Sequence, residues 1–176
     1  MNDHKGFFAM MARMKYIERW ALMRNSVSEN ICEHSLEVAM LAHGLGIIGR
    51  KRFGKDLSPE RLAMLGMYHD CTEIITGDMP TPVKYANDEL KEAYKAIEDS
   101  AAHRLLEMLP EDLRAEYESY FLPEQITPEE YRYVKAADKL SALIKCIEEE
   151  KTGNQEFRSA KQATYESLQQ MNMPEV

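Results

Sequence analysis

MYHDCTEIITGDMPTP, residues 67–82, is the stretch on which the reading of the whole chain turns. His69 and Asp70 stand side by side, Glu73 follows, and Gly77, Pro80 and Pro82 then break any helix into a loop. An adjacent His-Asp pair alone is weak evidence of a site, since the 5 histidines and 8 aspartates among 176 residues give about 0.2 such pairs by chance. The surrounding pattern gives the pair its weight. Leu62, Leu65 and Gly66 share a helical face with His69, Glu73 lies one turn further along it, and Asp70 sits at its edge. Burying an imidazole with two carboxylates is costly, and no Lys or Arg on that face neutralises them. A divalent cation is the simplest compensator. Gly66, one turn before His69, leaves room for another backbone or a ligand to come close.

Outward from this stretch the chain reads as helix after helix. A first helix is expected from about Lys5 to Met23. Residues 25–53 open a second with Ser28 or Asn30 as cap, Asn30 and Glu33 resembling a capping box. Residues 57–74 open a third with Ser58 as N-cap and Pro59 at the first helical position. Helices over 87–109 and 110–121 follow. Residues 126–153 repeat the cap-then-proline opening at Thr127-Pro128, with Gly153 as the stop, and a last helix covers roughly Gln155 to Met171. No period-2 stretch, internal repeat or linker interrupts this series. The expectation is an all-α single domain spanning residues 1–176, a helical bundle of about six or seven helices.

Composition narrows the class. At 176 residues the chain can bury a core without disulfides or structural metal. The net charge of −8 argues against a nucleic-acid polymer, which needs a basic face, whereas a small anion remains accessible once a metal ion inverts the local sign. No uninterrupted apolar run approaches the roughly 20 residues of a membrane span, and the N-terminus carries no signal-peptide pattern. Cys32, Cys71 and Cys146 are odd in number and lack paired spacing, so they read as reduced, helix-packing thiols of a cytoplasmic protein.

Helical phase sorts the remaining polar residues. Ile31, Val38, Leu41, Ala42, Leu45 and Ile48 form an apolar stripe that includes His34 and leaves His43 on the opposite side. His43, His4 and His103 therefore read as surface histidines. In the 126–153 helix Tyr133, Ala137, Leu140, Ile144 and Ile147 make the core stripe. Asp138 lies about 100° from its centre, where it is as readily a solvated acid beside Lys139 as a ligand. Taken together, His34, His69-Asp70 and Asp138 offer two imidazoles and two carboxylates from three separated helices. Such a donor set can hold a catalytic divalent ion with positions open for water and substrate.

This ordered set resembles the HD-domain phosphohydrolase superfamily, and most closely the bacterial HD-domain 5'-deoxynucleotidases. The resemblance covers nearly the whole chain, through RWALMRNSVSENICEHSLEVAMLAH (19–43), YHDCTEIITGDMPTPVKY (68–85) and YVKAADKLSALIKCIEEE (133–150). It implies an all-helical fold, a homodimer, and hydrolysis of deoxyribonucleoside 5'-monophosphates to deoxynucleoside and phosphate. It also implies one divalent metal held by His34, His69, Asp70 and Asp138, cobalt or manganese ahead of magnesium, zinc or copper. Arg19 and Trp20 match positions that meet phosphate and sugar, and the loop Asp78-Met79-Pro80-Thr81 matches a substrate-contacting loop. His34, Asp70 and Asp138 join that substrate-binding set. Arg19, Glu73 and Asp78 are implied as catalytic groups, Glu73 orienting or deprotonating water and Asp78 either protonating the leaving 5'-oxygen or fixing the loop.

Without the resemblance, Arg19 reads as a surface arginine on an amphipathic helix and Trp20 as core packing. Members with two metals carry further histidines between the His-Asp pair and the last Asp. Here that interval holds only His103, so one metal is expected. Hydrolysis of nucleoside triphosphates or alarmones would call for more basic residues than Arg19, Arg24 and Lys84. A module that binds nucleotide and metal without turnover would have no need of Glu73. A purely helical interaction protein would leave His34, His69 and Glu73 on apolar faces without a charge partner.

Overall fold

A computed structural model describes residues 6–84 and 86–176. His4 and the expected helix start at Lys5 lie outside the described residues. Among the described residues, six helices of ten residues or more form the frame: α2 (Ile31–Phe53), α3 (Pro59–Tyr68), α6 (Asp88–Leu106), α7 (Glu111–Phe121), α8 (Pro128–Lys151) and α9 (Arg158–Gln170). Three short ones, α1 (Phe7–Met11), α4 (Glu73–Thr76) and α5 (Thr81–Lys84), fill the gaps between them. Among the described residues no β-strand forms, so the chain is all-α as expected.

The long helices start where their local chemistry requires. The Asn30 side chain accepts from the Cys32 and Glu33 backbone N–H groups while the Glu33 carboxylate accepts from the Asn30 N–H, which makes Asn30 rather than Ser28 the cap of α2. Thr127 and Glu130 close the same reciprocal box at α8, with Pro128 in the first turn. Ser58 accepts from the Arg61 N–H at α3.

Two expected helices are cut short. The first ends at Tyr16, because Ile17 turns extended and residues 17–30 form a loop instead. Glu18 and Asn30 make an antiparallel bridge, in which the Arg19 N–H donates to Glu29 O (2.8 Å) and the Ile31 N–H to Ile17 O (2.9 Å). Pairing with the strand-like lead into α2 satisfies backbone groups that a continued helix would have satisfied internally. The third helix breaks after Tyr68. Residues 69–72 form a turn closed by Cys71 N–H to Tyr68 O (3.1 Å) and Glu73 N–H to Asp70 O (3.0 Å), so Glu73 starts α4 rather than continuing α3.

The interior is built from two hydrophobic clusters. One joins Phe7, Met14, Ile31, Cys71, Ile74, Leu105, Leu106 and Phe121. The other joins Val38, Ala42 and Leu45 of α2, Leu62 and Leu65 of α3, and Tyr133, Ala136 and Ala137 of α8. Chain order places His34 between Ile31 of the first and Val38 of the second, and His69-Asp70 between Leu65 of the second and Cys71 of the first. The His-Asp residues thus occupy the seam where the two apolar clusters meet.

Helix α2 is long and apolar enough, at a mean hydropathy of 1.2 over 18 residues, to meet the length and composition of a membrane span. It packs instead against α3 and α8 and carries the buried His34 and Ser35, as the central helix of a folded core does. The stripe expected on α8 is shifted: Leu140, Ile144 and Ile147 are half-buried, and Ser141, Lys145 and Glu149 are buried. Cys71 and Cys146 are buried and Cys32 is exposed, all with free thiols.

Candidate active site

His34 projects from the second turn of α2 and is 1% exposed. His69 follows the last residue of α3, and Asp70 begins the turn after it. His34 Nε2 lies 3.5 Å from Asp70 Oδ2 and 3.3 Å from Asp138 Oδ1 of α8, and His69 Nε2 lies 3.0 Å from Asp70 Oδ2. The two imidazole centroids are 5.2 Å apart. Ligand atoms of His34, His69 and Asp70 all fall within 4.8 Å of one another.

The outer nitrogens set the tautomers. His69 Nδ1–H donates to Gly66 O at 2.7 Å, and His34 Nδ1 lies 3.0 Å from Ser141 Oγ, whose hydroxyl donates to Glu37. With Ser141's proton given to Glu37, His34 Nδ1–H is the donor in that pair, so His34 Nε2 carries a free lone pair, and both Nε2 atoms turn inward. Both are buried without a hydrogen-bond partner. Leaving two buried ring nitrogens unpaired costs stability unless something else binds there. Two imidazole nitrogens and carboxylate oxygens at this spacing fit a divalent ion, with the backbone carbonyl and Ser141 orienting the rings from behind.

The electrostatics of His34 and the two aspartates agree with that fit, whereas Asp70 raises the His69 imidazole against its burial, so an ion bound there would displace a proton from His69. Burial pushes the His34 imidazole down to about 4, holding it neutral as a ligand must be. Burial works against the Asp70 carboxylate, but His69 beside it keeps it well below the usual carboxylate range. Asp138 is likewise held low against its burial, chiefly by Lys135, whose Nζ lies 3.1 Å from Asp138 Oδ2. Asp138 therefore faces the cluster and Lys135, not solvent and Lys139.

Arg19 approaches from the 17–30 loop. Its Nε donates to Glu29 Oε1 at 2.9 Å and its Nη1 lies 3.5 Å from Asp70 Oδ2. Trp20 Nε1 donates to the other Glu29 oxygen at 3.2 Å, so one carboxylate fixes both side chains. Trp20 has φ +60°, a left-handed conformation that costs a bulky residue about 1–3 kcal/mol. Neither reading made of a first helix applies: Arg19 is not a surface residue of a helix, and Trp20 lies half-buried in a loop with its ring 5.3 Å from that of Phe157.

Glu73 is buried, with Oε2 unpartnered. Burial, together with the charges of Asp70 and Asp78, pushes its carboxyl up to about 10. Burial raises the Asp78 carboxyl, against the opposing pull of Arg19. Gly77, at φ +75°, turns the chain out of α4, and the Tyr94 hydroxyl of α6 reaches Thr76 Oγ1 (3.0 Å) and Gly77 O (3.2 Å) to support the turn. Met79 and Pro80 are half-buried in the loop and Thr81 is exposed at the start of α5.

The structure thus brings Arg19, His34, His69, Asp70, Glu73, Asp78 and Asp138 into one charged cluster, with Trp20 at its edge, while the described contacts of the cluster do not reach Met79, Pro80 or Thr81. His103 is exposed on α6 as expected, whereas His43 is half-buried rather than solvated. The expectation that no basic residue neutralises the His69 face holds for α3 alone, since Arg19 and Lys135 arrive from a loop and from α8. Glu29, Lys135, Ser141 and Glu37 were not legible as site residues. Lys135, three residues before Asp138 in a helix, carried the one usable signal.

The helical arrangement is that of the HD-domain phosphohydrolases. An HD-domain phosphohydrolase from Listeria innocua superposes with a TM-score of 0.78 at 24% identity, covering 94% of this chain and 81% of that one. A cyanophage S-2L HD phosphohydrolase, DatZ, described as bound to dA and one catalytic Zn2+ ion, superposes at 0.65 with 22% identity over 94% of this chain and 85% of its own. A 5'-deoxynucleotidase of Vibrio cholerae is 49% identical over 170 residues, 97% of this chain and 88% of its own length. The 5'-deoxynucleotidase YfbR of Shigella boydii is 47% identical over 170 residues, 95% and 85% of the two chains. The 5'-deoxynucleotidase YfbR-like family model matches residues 6–176, and the chain belongs to that family.

Proposed function

We propose that this chain is a metal-dependent 5'-deoxynucleotidase that hydrolyses deoxyribonucleoside 5'-monophosphates to the deoxynucleoside and phosphate, acting as a single domain over residues 1–176. The observation that carries the reading is the pair of buried, unpartnered Nε2 atoms of His34 and His69 beside Asp70. His34, His69, Asp70 and Asp138 hold one divalent ion, cobalt or manganese in the first instance. When bound, it would lower the pKa of its water, offset charge on a phosphoryl oxygen and draw Glu73 back toward its ionised form.

The chain's own residues supply the rest. Glu73 Oε2 accepts the proton of the water that attacks phosphorus, from the start of α4 just past the turn that carries His69 and Asp70. As the bond from phosphorus to the 5'-oxygen breaks, Asp78, whose carboxyl burial raises, passes that oxygen a proton. Arg19, with Nε fixed on Glu29, presents the other edge of its planar fork to the phosphate. Trp20 lies against the sugar and disfavours a 2'-hydroxyl by crowding it and leaving it unpaired. Met79, Pro80 and Thr81 line the substrate on the loop side.

A homodimer is supported by Leu36, Met40 and Ile47, exposed along the face of α2 turned away from the core. A reducing, cytoplasmic setting is supported by three free thiols.

The deciding experiment is phosphate release from paired deoxyribo- and ribonucleoside 5'-monophosphates, using metal-stripped protein with cobalt, manganese, magnesium or zinc restored. Metal-dependent turnover favouring deoxy substrates, and lost in Asp70→Ala and Glu73→Ala, is expected. Absence of turnover with every metal would overturn the reading.

A further inference from the structure

The 17–30 loop carries Arg19 and Trp20, yet helix packing alone does not hold it. Its far end is tied to the C-terminal end of α8 by one buried carboxylate. Glu149, 2% exposed, accepts from the backbone N–H of Ser26 (2.9 Å to Oε2) and of Val27 (3.3 Å to Oε1). The Lys145 ammonium, also buried, donates both to Glu149 and to the Val27 carbonyl, so it neutralises the carboxylate and grips the loop in the same stroke. Asn154, just past α8, donates to Glu149 Oε2 at 2.8 Å and to the Arg24 carbonyl at 2.7 Å. The Arg24 N–H in turn donates to Glu156 at 3.1 Å.

The clamp closes on Trp20. The Trp20 carbonyl accepts from the Met23 N–H at 2.9 Å, so the left-handed turn at Trp20 leads directly into the residues that Asn154 and Glu149 hold. Phe157 connects the two from the other side: the Trp20 ring lies 5.3 Å from it, and the Lys145 ammonium lies 5.6 Å from the same ring. A Trp at positive φ persists only where its surroundings over-determine it. Here those surroundings are Glu29, which takes the indole N–H, and residues 145–157 on the other side. A buried Lys-Glu pair is not explained by stability, since an apolar pair of similar volume commonly serves as well.

We infer that Glu149, through Lys145 and Asn154, is a positioning residue for substrate selection: it sets the Trp20 turn and with it the discrimination of the sugar of the nucleotide. The inference rests on the reading of Trp20 as the residue against the sugar.

The test uses the full-length, metal-loaded enzyme with paired deoxyribo- and ribonucleoside monophosphates. Glu149→Gln keeps the shape and removes the charge. Asn154→Ala removes two links at a half-buried position and serves if Glu149→Gln folds poorly. Each is expected to raise KM for the deoxy substrate and to lower the deoxy-to-ribo ratio of kcat/KM by roughly tenfold or more, the scale on which small misplacements of a substrate-holding group act. The kcat for the deoxy substrate should move little. Trp20 is the sole tryptophan, so its emission is a second readout, and acrylamide should quench it more strongly in both variants. Trp20→Phe separates the two claims. If it leaves the deoxy-to-ribo ratio unchanged, the assignment of Trp20 to the sugar fails. If it lowers the ratio while folded Glu149→Gln and Asn154→Ala leave both ratio and quenching at wild-type values, the positioning role of Glu149 is overturned.

Discussion

A Cβ atom on Gly66 would lie 3.0 Å from both Cα and N of Ala39, so α3 crosses α2 with backbone against side-chain-free backbone. The contact sits three residues before His69 and five after His34, and it sets the approach of the two imidazoles. Gly66→Ala is expected to force the helices apart at a cost of about 1–3 kcal/mol and to weaken metal binding with it. Gly44, on the open side of α2 with nothing within 4 Å of an added Cβ, is the control. Gly44→Ala should be neutral or stabilise by up to about 1 kcal/mol, because it raises helix propensity without a clash. Denaturant unfolding and metal titration of both variants check the pair, and equal destabilisation would contradict the close-approach account.

Glu73 is the acid whose carboxyl burial displaces furthest upward among the site residues, to about 10. Glu73→Gln preserves shape and hydrogen-bonding capacity while removing the base. A fall in kcat of about 10²–10⁴-fold is expected, with KM and metal affinity nearly unchanged. A comparable loss of metal affinity would instead make Glu73 a ligand.

Metal occupancy should appear in stability as well as in turnover. The unpaired His34 and His69 nitrogens gain partners only in the folded, loaded protein, so adding metal at about 100 times its Kd should stabilise by about 3 kcal/mol. Chelation should lower Tm correspondingly and abolish activity. His69→Ala should erase the metal-dependent Tm shift, and Glu73→Gln should retain it. Differential scanning calorimetry with and without chelator reads both.

Acid stability has a contributor away from the site. Glu130 closes the α8 capping box and accepts from Arg61 Nε at 2.5 Å, while Arg61 also donates to the Ser119 and Gln125 carbonyls. Burial opposes the charge, but the Thr127 backbone, Thr127 hydroxyl and Arg61 bonds hold the Glu130 carboxyl below its ordinary value. A depressed carboxylate contributes stability that is full above the unfolded value of 4.5 and fades as pH falls through the folded one. Glu130→Gln keeps the capping box but removes the charge paired with Arg61, so it should cost about 1 kcal/mol at pH 7, and the gap to wild type should narrow below pH 4.5. Denaturant unfolding at pH 7 and near pH 3 checks the sign, and a gap that widens in acid would contradict it.

What the sequence determined by itself was local. Caps at Asn30, Ser58 and Thr127, the glycine stop at Gly153 and the apolar stripe holding His34 are set by residues within a turn or two of one another, where short-range hydrogen bonding and helical phase decide the outcome. Helical phase also singled out His34 and His69, but it left Asp138 open, and the ordered set His34, His69-Asp70, Asp138 was legible only as a pattern along the whole chain. Tertiary structure decided what distant segments contribute. Arg19 and Asp70 are 51 residues apart, and Ser26 and Glu149 are 123 apart. The expected first helix gave way at Ile17 because a bridge to residues preceding α2 became available only once α2 was placed. Glu29, Lys135 and the Glu149 clamp share that character. Each is one acid or lysine among many along the chain, and only a crossing of helices, fixed by packing at contacts such as Gly66 on Ala39, brings it to the charge or backbone group that gives it a role.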